Sequence, residues 1–163
     1  MAMDNSTVLT IEHAETIYRR NFGGQPDDFN PNGGKRYFNV IVPEDMVDEL
    51  VADGWHVKET HPKEDDQAVQ HYLKVNVNFN GNRPPKIWVK TNNKNSKAIL
   101  LDETTIGEMD TYEIVDMTVN ITPWITKKYN TVPAYLKSAY VTVQDNDFVP
   151  DGFFDDDDET EPF

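Results

Sequence analysis

Between Gln67 and Leu101 the chain reads QAVQHYLKVNVNFNGNRPPKIWVKTNNKNSKAILL and holds no acidic residue. Six bases lie in it (Lys74, Arg83, Lys86, Lys90, Lys94 and Lys97), with Tyr72, Phe79 and Trp88 among them. All 29 acids of the protein fall elsewhere, beside the other nine bases, and the formal net charge is −14. Ammonium and guanidinium groups interleaved with flat rings point to non-covalent capture of a polyanion that also presents flat faces. Lysines neutralise phosphates and release counterions. Aromatic rings stack on unpaired bases, worth roughly 1–3 kcal/mol per base. The same pattern also occurs on an ordinary solvated sheet face with a tryptophan packed under a loop. The missing carboxylates, in so acidic a chain, favour the first reading.

The elements that must position these groups follow from the period of the pattern. Leu73, Val75, Val77 and Phe79 share one face of an extended strand, and Tyr72, Lys74, Asn76, Asn78 and Asn80 share the other. After Asn-Gly-Asn-Arg-Pro-Pro the alternation resumes in KIWVK, with Ile87 and Val89 on one side and Lys86, Trp88 and Lys90 opposite. Two such runs across a Gly/Pro loop predict an antiparallel hairpin with a core face and a cationic, amide-rich outer face.

The rest of the chain reads as short strands around one helix. Strands are expected at Val8–Glu12, Thr16–Phe22, Lys35–Val42, Trp55–Glu59, Tyr112–Thr122 and Ala134–Val143, with a short apolar segment at Ile99–Leu101. In Tyr112–Thr122 the alternation sends Val115, Met117, Val119 and Ile121 inward. Pro43–Asp53 is the clearest helix. Pro43 suits its first position, Glu44 and Asp45 favour its positive end, Met46, Val47, Leu50 and Val51 form its apolar stripe, and Gly54 stops it. Strands this short and closely spaced exclude βαβ crossovers and predict a small, mostly antiparallel barrel or sandwich. Further basic–aromatic clusters, Arg19, Arg20 and Phe22 and then Lys35, Arg36 and Tyr37, would extend the binding surface. Trp124, Lys127, Lys128 and Tyr129 would form an arm closing on it, and Trp55 reads as a core cap.

Composition limits the alternatives. A chain of 163 residues is one domain plus appendages. It has no cysteine, so disulfides and thiolate metal sites are excluded. MAMDNSTVLTIEHAE has neither the basic nor the apolar segment of a signal peptide, and no apolar window is long enough to span a membrane. His13, His56, His61 and His71 show no metal-ligand spacing, and Asp27–Asp28 and Asp65–Asp66 fall in loops. No P-loop or nucleophile motif is present. No enzyme, metal, cofactor or membrane partner is expected.

The charge is concentrated at the end. From Asp145 to Phe163 there are nine acids and no base, so residues 1–144 form a body of net −5 and residues 145–163 a flexible acidic tail. The tail finishes Asp155-Asp156-Asp157-Asp158-Glu159-Thr160-Glu161-Pro162-Phe163. A run of aspartates before a final Pro-Phe resembles the C-terminal tip of bacterial single-stranded-DNA-binding proteins, and the acidic, Phe-ended tails of phage proteins of the T7 type. Glu161 stands where the bacterial tip usually has an apolar residue. The body resembles phage single-stranded-DNA-binding proteins in FNPNGGKRYFNVIVP, DGWHVK, YLKVNVNF with PPKIWV, and AYLKSAYVTV, about a quarter of the chain.

That resemblance implies an OB-fold, single-stranded DNA as ligand, action in the host cytoplasm, and recruitment of replication or recombination proteins through Asp155, Asp156, Asp157, Asp158, Glu159, Glu161, Pro162 and Phe163. A tethered polyanion near a basic groove also has a high effective concentration there, and can compete with DNA. A homodimer is left open. The competing reading is an acidic protein-interaction or DNA-mimic module without nucleic-acid binding.

Overall fold

The computed structural model describes residues 6–28, 31–61, 68–81, 83–125 and 132–145. The chain is mostly β. Its strands are β1 (Leu9–Ile11), β2 (Thr16–Asn21), β3 (Arg36–Ile41), β4 (Val57–Glu59), β5 (His71–Val77), β6 (Lys86–Thr91), β7 (Ile99–Leu101), β8 (Ile114–Pro123) and β9 (Ala134–Val143). The helix α1 (Glu44–Asp53) lies between β3 and β4, and a 3-10 turn (Ile106–Asp110) lies between β7 and β8. The short apolar segment of the sequence is thus a strand of its own. The 3-10 turn has no periodic signal and was not expected.

All nine strands belong to one sheet, in the order β1-β8-β9-β5-β3-β2, with β4 added to β5 and β6–β7 added to β9. The barrel expectation needs correction. Among the described residues no ladder joins the outer strands β1 and β2, so the sheet does not close. These two strands are joined by a four-residue link, because β2 begins five residues after β1 ends. Single amide bonds bridge the gap instead: Ala14 N–H donates to the Met117 carbonyl at 2.7 Å, and Ile41 N–H to the Glu15 carbonyl at 2.8 Å.

Alternation builds the core. Phe38 and Val40 of β3, Leu73, Val75 and Val77 of β5, Ile87 and Val89 of β6, and Met117, Val119 and Ile121 of β8 are all buried. The helix contributes Val47 and Leu50, and ends at Gly54, whose φ of 99° needs no Cβ to be avoided. Val51, expected in the stripe, is exposed: the face turned to the core runs from Met46 through Leu50 to Val47, and Val51 lies about 40° beyond Val47 on the far side. Val115 is likewise exposed rather than inward. A register shift between Ile114 and Asp116 rotates the start of β8, and Ile114 packs on the core in its place. Trp55 is buried in the core, as its position after the helix stop suggests.

The predicted hairpin does not form. β5 pairs with β3, β4 and β9; β6 pairs with β7 and β9. Both runs have the expected faces, but they join the same edge of β9 in parallel, β5 at Ala134–Tyr135 and β6 at Ser138–Val143. The connection between them, residues 78–85, is long enough to step sideways.

Candidate nucleic-acid interface

The outer face of β3 and β5 is set by their register. Tyr37 lies opposite Asn76, Asn39 opposite Lys74, and Ile41 opposite Tyr72. On the flank, β4 sets Lys58 opposite Tyr72, and β2 sets Asn21 opposite Tyr37. Hydrophobic alternation on the inner face therefore fixes which polar and aromatic groups stand together outside.

Lys74 is the junction of three adjoining cavities, of about 410, 380 and 290 Å³. The first is lined by Tyr18, Arg19, Tyr37, Lys58 and Tyr72 among others, the second by Lys35, Arg36, Tyr37, Phe79 and Tyr135, and the third by His56, Lys58 and Pro133. Together they form a groove. The Lys74 ammonium sits 4.6 Å from the centre of the Tyr37 ring, and the Arg36 guanidinium 5.4 Å from that of Phe79. Burial pushes the Lys74 ammonium below the usual lysine range, and the neighbouring charges of Lys58 and Lys35 push the same way. An anion placed among these cations relieves that repulsion.

The rings are held in place. Tyr18 stands edge-on to Tyr72 at 5.3 Å, while Trp124 stands edge-on to Tyr135 at 6.5 Å. Tyr18 has a φ of 62°, in the left-handed region, where a bulky residue costs about 1–3 kcal/mol. It lies in the stretch between Ile17 and Asn21 where β2 slips register against β3. The slip turns the ring out over the groove, and Tyr18 is 58% exposed. Tyr37 donates its hydroxyl proton to Asp27. Burial first, and then Asp27, raise its pKa above the ordinary phenol value, so it stays protonated. Asn21 Nδ2 donates to Asp27 Oδ2 at 3.2 Å and to the Gln25 carbonyl at 2.9 Å, fixing the loop that carries both.

The groove brings together Arg19, Lys35, Arg36, Tyr37, Tyr72 and Lys74 of the residues singled out in the sequence. Two others leave it. Phe22 is 1% exposed and stacked on Phe38, with ring centres 4.9 Å apart, so no base can reach it. The end of β2 is pulled inward there by Asp110, which accepts the N–H groups of Phe22 and Gly23. Arg20 turns away to donate to the Tyr112 carbonyl.

Lys86, Trp88 and Lys90 lie on the outward side of β6, opposite Ser138, Tyr140 and Thr142 of β9. They form a second patch, displaced along β9 from the groove, with Trp88 half-buried. Arg83 and Lys94 are exposed in the turns flanking β6, and Lys97 is half-buried. Residues 127–129, and the tail from Asp155 to Phe163, lie outside the described residues.

Sequence reasoning missed Tyr18, Lys58, Asp27, Asn39 and Tyr135. Lys58 and Tyr135 alternate outward on apolar strands, and could have been found by the same period-two argument. Tyr18 could not, because the slip in β2 breaks the period. Among the described residues no group of three His, Cys, Asp or Glu could hold a metal ion. No helix among them is long and apolar enough to cross a membrane.

An open, mostly antiparallel sheet with a groove lined by cations and rings suits a protein that binds rather than one that carries out a reaction. A family model described as a putative phage ssDNA-binding domain matches residues 3–151, and the chain belongs to that family. It is a family of binding proteins rather than enzymes. The fold is shared with the single-stranded DNA-binding protein of bacteriophage Enc34, solved in complex with ssDNA: the TM-score is 0.50 at 14% identity, over 87% of this chain and 89% of that one. The single-stranded DNA-binding protein gp2.5 of bacteriophage T7 is similar at a TM-score of 0.41 and 13% identity, over 91% of this chain and 98% of that one. No curated protein sequence matches the chain.

Proposed function

We propose that the protein coats single-stranded DNA during phage replication or recombination, in the host cytoplasm, with little sequence preference. The observation that carries this reading is the position of Lys74, shared by three adjoining cavities whose walls alternate cations with the rings of Tyr37, Tyr72 and Phe79. The strand's phosphates follow Arg19, Lys35, Arg36, Lys58 and Lys74, while its bases meet the rings. The β6 patch of Lys86, Trp88 and Lys90 extends the path along β9, with Arg83, Lys94 and Lys97 around it. Residues 1–144 are the binding domain.

Residues 145–163 act as a tethered polyanion that occupies the groove when DNA is absent. When DNA displaces it, Pro162 and Phe163, with Asp155 to Glu161 behind them, become available to an apolar pocket with a basic rim on a replication or recombination protein.

The test is a titration of labelled oligo(dT) at several salt concentrations. The full chain, a chain lacking residues 155–163, and a Lys86→Glu/Trp88→Ala double variant are compared. Tight, salt-sensitive binding is expected. It should be tightened by the truncation and weakened by the double variant, most of all on the longer oligonucleotides. Failure of the truncated chain to bind at low salt would favour the protein-interaction reading. Weaker binding after truncation would remove the competition.

A further inference from the structure

Two pairs of rings, each edge-on, bracket Lys74 on the outer face of β5. Tyr18 and Tyr72 lie at one end. At the other end Asn76 is paired with Tyr135, whose ring meets that of Trp124 at 6.5 Å and an interplanar angle of 67°. Tyr72, Lys74 and Asn76 alternate with buried residues along the strand, so they share a face. Tyr72 and Asn76 are thus about 13 Å apart, with Lys74 halfway. Rings, a cation and rings again, in line, match the order in which an extended strand presents base, phosphate and base.

The second pair is held by the backbone. Asn76 Nδ2 donates to the Ala134 carbonyl at 3.0 Å, which pins the start of β9 to β5. Pro123 pairs with Ala134 at the last rung of β8 and β9, and one step beyond it Trp124 N–H donates to the Pro133 carbonyl at 3.0 Å. The alternation of β8 buries Ile121 and Pro123, so Thr122 and Trp124 turn outward, with Tyr135 opposite Thr122. Tyr135 lines the cavity of about 380 Å³ together with Lys74, Arg36 and Phe79, and Trp124 stands beside it. Trp124 is 57% exposed, whereas Trp55 is buried and Trp88 half-buried. An indole this open adds little burial to the fold, and a base laid on it covers that apolar surface.

We infer that Trp124 and Tyr135 form a base-stacking subsite at the β9 end of the groove, with the indole of Trp124 as its outer platform. The inference rests on the single-stranded-DNA reading above and adds to it a second fixed place for a base. One base stacks at Tyr18 and Tyr72, the phosphates that follow pass over Lys74, and a later base covers Trp124. An indole carries no charge, so this platform adds affinity without releasing counterions.

The test compares the full chain with Trp124→Ala and Trp124→Tyr by fluorescence anisotropy at several low salt concentrations. The probes are labelled oligo(dT) and an abasic oligonucleotide of the same length, which keeps the phosphates and lacks every base. Trp124→Ala should bind oligo(dT) about five- to 150-fold more weakly, the worth of one stacked base. The slope of log K against log salt should stay as it was, and the affinity for the abasic probe should hold to within about twofold. Trp124→Tyr keeps a ring and should recover most of the loss. An oligo(dT) affinity unchanged in Trp124→Ala would overturn the subsite and leave DNA binding standing. An equal loss on both probes would also overturn it, because it would make Trp124 a support of the fold rather than a platform. Failure of the unaltered protein to bind oligo(dT) would overturn both readings.

Discussion

Replacing Tyr18 by asparagine separates stability from binding. The residue sits at a φ of 62° within a strand, which for a tyrosine costs about 1–3 kcal/mol. Asparagine tolerates that backbone region several-fold better. Against the relief stands the loss of the edge-on contact with Tyr72 at 5.3 Å, worth about 0.5–1.5 kcal/mol. The ring is 58% exposed, so little further burial is lost. The midpoints of those ranges, about 2 kcal/mol of relief and about 1 kcal/mol of lost contact, leave about 1 kcal/mol in favour of the variant, with about 2 kcal/mol as the practical upper end. For a domain of this size that corresponds to a melting temperature raised by up to about 4–8 °C.

Binding should move the other way. One stacking platform contributes roughly 1–3 kcal/mol per base. Tyr18→Asn should therefore bind a short oligonucleotide about five- to 150-fold more weakly. Thermal denaturation and anisotropy titration of the same preparation provide both numbers. A melting temperature lowered by several degrees would refute the strain argument. An unchanged affinity in a stably folded variant would refute the claim that the slip in β2 exists to present a ring to the ligand.

Two further predictions follow from the electrostatics. Lys74→Met removes a cation whose charged form is disfavoured by burial and by Lys58 and Lys35, so the melting temperature should hold or rise while DNA affinity falls. The slope of log K against log salt should become shallower by about 0.7, the share of one phosphate contact on a single strand. His71 links α1 to β4, with Nδ1 3.0 Å from Glu44 and Nε2 3.4 Å from Glu59. The hydrogen bond to Glu44, and then the contact with Glu59, raise its pKa above the usual histidine value. Its stabilising contribution is therefore complete below about pH 6.5, the unfolded value, and is lost as pH rises through the folded value. Melting temperatures across that interval should fall with rising pH in the unaltered protein, and fall less in His71→Gln. Parallel curves would dismiss the link.

Much of this fold is legible in single-residue alternation. The strands at His71–Val77, Lys86–Thr91 and Ala134–Val143 each alternate buried residues with less buried ones, and the helix is marked at both ends by Glu44, Asp45 and Gly54. What alternation does not contain is the partner of each strand. Val75 and Ile87 bury equally well against β9 or against one another, so the pairing of β5 with β6 was a choice made on chain proximity alone. Side chains beside irregularities were lost for a related reason. Val115 and Tyr18 sit where the register slips, and a slip reverses the inside and outside of its neighbours. Phe22 and Arg20 leave the groove for partners that leave no mark on the local sequence, Asp110 at 88 residues from Phe22 and the Tyr112 carbonyl at 92 residues from Arg20. The groove itself was partly legible, since Tyr37, Tyr72 and Lys74 follow directly from strand phase.

The seam between β1 and β2 has a mechanical consequence. A closed barrel has a fixed girth, because widening it would tear a whole row of backbone bonds. Here the circumference is completed by the tether between Ile11 and Thr16 and by the amides of Ala14 and Ile41. Strain at the seam therefore falls on those two amide bonds and on no ladder, whereas the cavity beneath Tyr18 is held at its width by the ladders that join β2, β3, β5 and β4.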